Sequence, residues 1–439
     1  MAERVRLGAG YRRVFASSVV SNLGDGVAQV GYPWLASAVT RNPVLVAGVV
    51  VAQRLPWLLF TLPAGVITDR VDRRRAMIAM DVLRSGLTVS VATAVLVLGT
   101  DLPTPDRVDT IEGTRVGLYA VVATASLLLG CAEVLRDNSA QTILPALVPP
   151  EHLERANGRM WSAEMVANEF VGPPLGSALL AGAFALPFLL DAGTFALAAG
   201  LMALVAGEFR STRATGADAA PSWTTDLKEG VRWLWHHDLL RTLAVVLGAL
   251  NAIGAMQIGT LVLFAQEVLD TSPVQFAVLT MGGAVGAVLG GFVAAPLKRA
   301  LGSGPTLWLT LVVTVVIPVV VGSTSTWWVV PSAFLFMGLT SVSWNVITVS
   351  LRQTIIPDHL LGRVNSVYRF FGWGMMPIGT ALGGLVVVLA EGPWDREAAL
   401  RAPWFASAAL AVVTCAYAIP RLTTERMDAA RAAAVAEGT

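Results

Sequence analysis

An all-α membrane protein, with twelve transmembrane helices in two pseudo-symmetric six-helix bundles, is the fold class this sequence predicts, and three observations predict it. The first is composition. Hydrophobic residues make up 55% of the 439 residues and charged residues only 14%, with a mean hydropathy of +0.65, against about a quarter charged in an ordinary globular domain. A soluble domain of this size cannot hide that much apolar surface, so lipid is the solvent for most of the chain. The second is the recurrence of apolar windows near the roughly 20 residues that cross a hydrocarbon core of about 30 Å. The third is a phrase, Pro-x-x-x-Leu-x-Arg-x-Asn, that occurs twice. Pro149, Leu153, Arg155 and Asn157 match Pro357, Leu361, Arg363 and Asn365 at one constant offset of 208 residues.

Apolar length, broken by Gly, Pro and charge, places spans at 14–38, 44–67, 76–99, 116–136, 160–182 and 184–206, then at 242–267, 274–296, 304–322, 327–351, 366–390 and 402–420. This gives an N-terminal bundle over 1–206, a linker over 207–241, a C-terminal bundle over 242–420 and a tail over 421–439. The first span follows Arg4, Arg6, Arg12 and Arg13 and is longer than a signal-peptide core, so it reads as an uncleaved first helix. Outer loops hold Arg41, Arg107, Arg115, Arg396 and Arg401. Apart from Arg54 and Arg84 within spans, all other arginines and lysines, Arg136 included, fall in inner segments, which puts both termini in the cytoplasm and the chain in the cytoplasmic membrane. The linker is polar from Ser211 to Ser222. It then becomes amphipathic, with Leu227, Val231 and Leu234 at helical spacing beside Trp223, Trp233 and Trp235, as suits a helix at the inner interface. The twice-used phrase lies between the fourth and fifth spans of each half. Parallel six-span repeats related by an axis along the membrane normal are a transporter architecture, with substrate held between the halves near the midplane.

Charge inside a span costs at least about 2.5 kcal/mol on insertion scales, so each such residue is a functional candidate. Asp25 lies about 11 residues into the first span, roughly 16 Å from its inner end at about 1.5 Å per residue, and Arg54 is about as deep in the second. Ser18, Asn22, Asp25, Gln29 and Tyr32 recur at helical spacing and form one polar stripe that lipid cannot face. Two readings of Asp25 stand: a carboxyl that carries protons, or a carboxylate permanently ionised against Arg54. Glu169 and Asp191 are the next candidates for proton coupling. Asn22, Gln29, Trp34 and Trp57, with Asn251 and Gln257 of the seventh span, are candidate walls of a substrate cavity, although uncharged amides in spans often only bridge helices.

Several functions are excluded or given no support. Lysine occurs only at 228 and 298, neither after glycine, so no phosphate-binding Walker loop exists; no cofactor and no ATPase subunit is implied, and the proton gradient is the expected driving force. Arginines are dispersed over short loops, which gives no nucleic-acid footprint. Cys131 and Cys415 read as small buried hydrophobes, and His236 and His237 beside tryptophans as an interfacial pair, so no metal site is expected. The expected partners are a small-molecule substrate and the bilayer, with the monomer as the functional unit.

The loop after the second span reads Gly65-Val-Ile-Thr-Asp69-Arg70-Val-Asp72-Arg73-Arg74-Arg75. It resembles the loop signature of the major facilitator superfamily, Gly-x-x-x-Asp-Arg-x-Gly-Arg-Arg, with Asp72 in place of the second Gly. That resemblance implies the major facilitator fold and a cytoplasmic gate of Gly65, Asp69, Arg70, Arg73 and Arg74. Asp69 would meet the eleventh span, and Arg73 an acid near the end of the fourth, Glu133 or Asp137. Ser21-Asn22-Leu23-Gly24-Asp25, Arg54-Leu55-Pro56 and Leu153-Glu154-Arg155-Ala156-Asn157 are similar to the transmembrane secretion effector branch, which includes enterobactin exporters and macrolide or multidrug efflux proteins. Gly172-Pro173-Pro174-Leu175-Gly176 is similar to the tail of the Gly-Pro-x-x-Gly antiporter signature. The resemblance implies a proton-coupled exporter of amphipathic or hydrophobic small molecules, not an enzyme. An importer or uniporter of a native metabolite is the alternative, and a membrane enzyme or receptor the remote one. Gate, stripe and Gly172–Gly176 bend are clear only in the first half, so coupling and gating are expected there.

Overall fold

The structure, a computed structural model, describes residues 8–210 and 223–437. The polar stretch from Ser211 to Ser222 lies outside the described residues, as do Arg4 and Arg6. In chain order the α-helices are α1 (Ala9–Val39), α2 (Pro43–Leu59), α3 (Thr61–Arg70), α4 (Arg73–Leu98), α5 (Val116–Ile143), α6 (Leu153–Met165), α7 (Gly172–Gly182) and α8 (Ala185–Ala203). They continue as α9 (Trp223–His236), α10 (Asp238–Ile258), α11 (Leu261–Glu267), α12 (Pro273–Leu301), α13 (Ser303–Ser323), α14 (Val329–Ile355), α15 (Asp358–Ala390), α16 (Arg396–Ala418) and α17 (Thr424–Glu437). Among the described residues the sole pairing of extended backbone is an isolated antiparallel bridge between Thr40 and Thr114.

Helix starts follow local chemistry. Asn42 accepts from the backbone N–H groups of Val44 and Leu45, with Pro43 at the first helical position of α2. Ser272 and Gln275 form a reciprocal capping box at the start of α12: the Ser272 N–H donates to Gln275 Oε1 at 2.8 Å, and the Gln275 N–H to Ser272 Oγ at 3.3 Å.

Nine helices or joined helix pairs among the described residues are long and apolar enough to cross a membrane. Three predicted spans fall outside the nine for physical reasons. The first, α1, carries the polar stripe. The second is broken at Phe60 into α2 and α3, because Pro63 cannot supply an N–H to the turn before it. The fifth is split by a π-helical turn, Val166–Val171, just ahead of Pro173. A correction concerns the fourth span, expected to end at 136. The α5 helix runs on to Ile143, and Arg136 is a buried helical residue rather than a loop charge. In α9, Leu234 is fully buried in a core with Leu240, Leu243 and Leu351, while Trp235 is exposed.

The chain divides into two compact units, Met1–Ala217 with Ser272–Ala277, and Asp218–Thr271 with Val278–Thr439. In the first, α1 crosses the α6–α7 segment at bare backbone: a Cβ on Gly26 would stand 2.6 Å from the Ala167 carbonyl oxygen and 2.9 Å from the Gly172 Cα. In the second, Gly282, Gly286 and Gly290 of α12 face Pro331, Leu335 and Leu339 of α14, both sets repeating every four residues, so two backbones lie against each other along a glycine groove.

Candidate functional site

The first unit holds a buried chain of charged side chains that starts on the polar stripe of α1. Asp25 is ion-paired with the Arg84 Nη2 of α4. Arg84 also donates to Ser21 Oγ at 3.1 Å, and its guanidinium lies 3.9 Å over the Phe195 ring of α8. The chain continues from Arg84 to Asp81, one turn earlier on α4, at 3.9 Å, and from Asp81 to Arg136 Nε of α5 at 3.1 Å. Arg136 reaches Asp137 at 3.7 Å. Three helices are thus joined by Asp25, Arg84, Asp81, Arg136 and Asp137 in alternating sign.

Exposure along this chain is graded. The Asp25 side chain is 26% exposed and that of Asp137 32%, while Arg84, Asp81 and Arg136 are sealed at 3% or less. Both ends are open and the middle is dry. Two arginines face three carboxylates, so with all ionised one negative charge is uncompensated, and a single bound proton neutralises the chain. At about 1.5 Å per residue, Arg84 lies roughly 16 Å and Asp81 roughly 12 Å from the start of α4. The network therefore runs from the middle of the first unit toward the helix ends that carry the Arg73–Arg75 loop.

Other predicted residues sit around this chain. Asp191 of α8 is 2% exposed, packs on Gly24 of α1, and its Oδ1 has no hydrogen-bond partner among the described residues. Asn168 Nδ2 donates to Asn22 Oδ1 at 3.2 Å, and Gln29 Nε2 donates to the Asn168 carbonyl at 3.3 Å, so the stripe is tied to the π-helical turn that carries the half-buried Glu169. Arg54 forms no ion pair among the described residues; its charge acts on Glu133 and Glu169. The partner of Asp25 is therefore Arg84, not Arg54: α8 packs against both α1 and α4, and the long Arg84 side chain reaches across Phe195 of α8 to the α1 carboxylate. Trp34 is 1% exposed and donates its indole N–H to the Pro105 carbonyl at 2.9 Å, so it is a packing residue. Trp57 is half-buried on α2, and its carbonyl accepts from Thr61 Oγ1. Asn251, half-buried, and Gln257, buried, belong to α10 of the second unit.

The Arg-rich loop is built as a helix cap. Asp72 holds ordinary extended geometry (φ −69°, ψ 118°), and its Oδ1 accepts from the Arg75 N–H at 2.9 Å while its Oδ2 accepts from the Phe209 N–H at 2.7 Å. Burial alone would raise the Asp72 pKa, but these two donors and the Arg75 and Arg74 charges outweigh it and hold it below the usual carboxylate range. Arg73 donates to the Thr142 carbonyl at 2.9 Å and Arg74 to the Ala203 carbonyl at 2.7 Å. These are last-turn carbonyls of α5 and α8, which lack helical partners. Glu133 or Asp137 was expected to receive Arg73; in the structure Arg73 takes a carbonyl, and Asp137 pairs with Arg136. Gly65 is half-buried, Arg70 is exposed, and the Asp69 side chain lies outside the described residues. Gly172, Pro173 and Gly176 are buried against α1, Gly176 on Val27.

Asp81, Arg84, Arg136 and Asn168 are the residues that sequence reasoning missed. For Asp81 and Arg84 a signal existed: opposite charges three apart inside an apolar span lie on one helix face.

A polytopic membrane transporter of the major facilitator superfamily is the class these helices, and the comparisons that follow, define. A family model described as transmembrane secretion effector matches residues 8–436, and the chain belongs to that family. It is 26% identical over 384 residues to the multidrug efflux pump Tap of Mycolicibacterium fortuitum, covering 84% of this chain and 87% of that protein. It is 24% identical over 422 residues to the multidrug efflux pump Tap of Mycobacterium tuberculosis (strain ATCC 25618 / H37Rv), covering 95% and 94%. Its fold is similar to that of a bacterial homologue of the iron transporter ferroportin (TM-score 0.69, 16% identity, 95% of this chain and 100% of that one). A bacterial homologue of the human lysosomal transporter Spinster is similar as well (TM-score 0.68, 13% identity, 96% and 98%).

Proposed function

We propose that this protein exports amphipathic or hydrophobic small molecules, such as a drug, siderophore or secondary metabolite, across the cytoplasmic membrane in exchange for protons. The observation that carries the reading is the Asp25–Arg84–Asp81–Arg136–Asp137 chain, open at both ends, sealed in the middle, and one proton short of neutrality. A proton or a cationic substrate reaching Asp25 weakens its hold on Arg84. Arg84 then leans on Asp81, and Asp81 shares less of Arg136. Occupancy at Asp25 is thereby felt on α4 and α5, whose ends the Arg73–Arg75 loop ties together. An ionised Asp191 would be a buried charge with an unanswered oxygen, an arrangement suited to a carboxyl that also gains and loses a proton.

The reading includes twelve spans in two six-helix bundles, obtained when α1, α2–α3 and α6–α7 are added to the nine, alternating access, both termini in the cytoplasm, and a Gly65–Asp69–Arg70 gate. It includes no cofactor, no ATPase subunit, no enzymatic activity, no nucleic-acid partner and action as a monomer; the bilayer is its solvent. The relatives named as multidrug efflux pumps support export over import. The test is transport in proteoliposomes with an imposed pH gradient and a panel of hydrophobic cations. Wild type should accumulate substrate with counter-movement of protons, and Asp25→Asn should reduce gradient-driven flux at least about tenfold, which is about 1.4 kcal/mol of coupling. Full coupling in Asp25→Asn would remove the mechanism. Flux that ignores the pH gradient in wild type would favour the uniporter reading.

A further inference from the structure

The first unit carries a concavity that the charge network does not use. It is a groove of about 940 Å³ between α1 and the α6 segment, within the size range of ligand sites. Its two walls run in the same direction: Tyr11 of α1 hydrogen-bonds the Ala156 carbonyl of α6, and Gln29, further along, reaches Asn168. Each wall begins with arginine and continues apolar. On α1, Arg12 is followed by Phe15, Val19 and Leu23 at helical spacing. On the other wall Arg155 and Arg159, one turn apart, are followed by Val166 and Val171, which are 52% and 47% exposed. The charges therefore gather at one end of an apolar trough.

None of these three arginines has an ion-pair partner among the described residues, and no carboxylate lines the groove. The repeated phrase sharpens the contrast. Arg363, the counterpart of Arg155 in the second half, is neutralised by Glu229 at 2.6 Å. Basic pockets between transmembrane helices at an interface suit anionic lipid head groups, and an apolar trough leading away from the charges suits an acyl chain. We propose that this groove is a binding site for an anionic phospholipid, its phosphate held by Arg12, Arg155 and Arg159 and one acyl chain laid along Phe15, Leu23 and Val166. The inference does not depend on export, on proton coupling or on which leaflet the arginines meet.

The test is native mass spectrometry of the full-length protein in detergent, with phosphatidylglycerol, phosphatidylcholine or inorganic phosphate added. Wild type should retain phosphatidylglycerol over phosphatidylcholine, and millimolar inorganic phosphate should not displace it. Replacing Arg12, Arg155 and Arg159 together by Gln should lower retention about tenfold or more, whereas replacing all three by Lys should keep it. Val166→Trp, which fills the trough and leaves the arginines intact, should also lower retention. Equal retention of both lipids, phosphatidylglycerol retained by the Gln variant or lost from the Lys variant, displacement by phosphate, or unchanged retention in Val166→Trp would each overturn the proposal.

Discussion

Asp81 is fully buried and is the carboxylate that Arg84 and Arg136 share. Removing it leaves two guanidinium groups facing each other in a dry site, and breaking a buried pair costs about 3–5 kcal/mol. Asp81→Ala is therefore expected to lower the thermal unfolding midpoint of the purified protein well below that of wild type. Adding Arg136→Met should recover part of the loss, since the buried guanidinium that has lost its 3.1 Å contact to Asp81 goes with it; a double-mutant cycle on unfolding free energies reads the coupling. Asp72 tests the opposite case, a carboxylate at the membrane edge that must stay ionised. Its folded pKa is lowered, so its contribution is present above the unfolded value of about 3.9 and is lost as pH falls through the lower folded value. Unfolding of Asp72→Asn should be less pH-sensitive over that acid range, and the variant weaker near neutrality by about 1–3 kcal/mol, because one of two buried N–H donors then meets an amide. The two positions also differ in how they read from sequence. Asp72 looked like a departure from a glycine turn, yet it is a helix cap, visible as an acid directly before a helix start. Asp25 stood out because its own helix shows a stripe, whereas its partner lies on another helix, and which of Arg54 and Arg84 meets it depends on how α1 packs on α2 and, through α8, is set against α4.

Helix boundaries and breaks carry the next level. Nine of the spans were legible from apolar length, because the length that crosses a bilayer is fixed. The extension of α5 past Arg136 was not, since a buried arginine satisfied by Asp81 across 55 residues of sequence has the local signature of a loop charge. The π-helical turn at Val166–Val171 was expected only as a bend near Gly172–Gly176; Pro173 shows in the sequence, but how the freed carbonyls are re-paired does not. Glycine grooves are a similar case: the four-residue repeat of Gly282, Gly286 and Gly290 is visible, its partner is not. Gly286→Ala should cost about 1–3 kcal/mol as an overpacked contact, because its Cβ would meet the Leu335 carbonyl, whereas Gly291→Ala, with nothing within 4 Å of its Cβ, should be neutral. Paired thermal unfolding curves decide it, and equal midpoints would mean that α12 and α14 do not touch along that ridge.

At the scale of the whole molecule, composition specifies a membrane protein, the positive-inside bias predicts an orientation, and each of the two units carries its own packing device. The first unit has the buried charge chain and the second has the groove of Gly282, Gly286 and Gly290, so the linked ion pairs of Asp25, Asp81 and Asp137 lie in the first unit. Such a division makes topology a strict test of the reading, because the charge chain runs toward the loop of Arg73–Arg75, and that loop must face the cytoplasm if protons entering from outside are to meet Asp25 first. In a background lacking Cys131 and Cys415, both of which lie within helices, single cysteines placed at Glu112 and at Arg426 report the two faces. Glu112 is exposed between α4 and α5, and Arg426 lies on the exposed side of α17. A membrane-impermeant maleimide should label the first in intact cells and the second only after permeabilisation, as expected when charge bias orients the short loops. Labelling of Arg426→Cys in intact cells would invert the molecule, put the Arg73–Arg75 loop outside, and make Asp137 rather than Asp25 the end of the chain that external protons reach first.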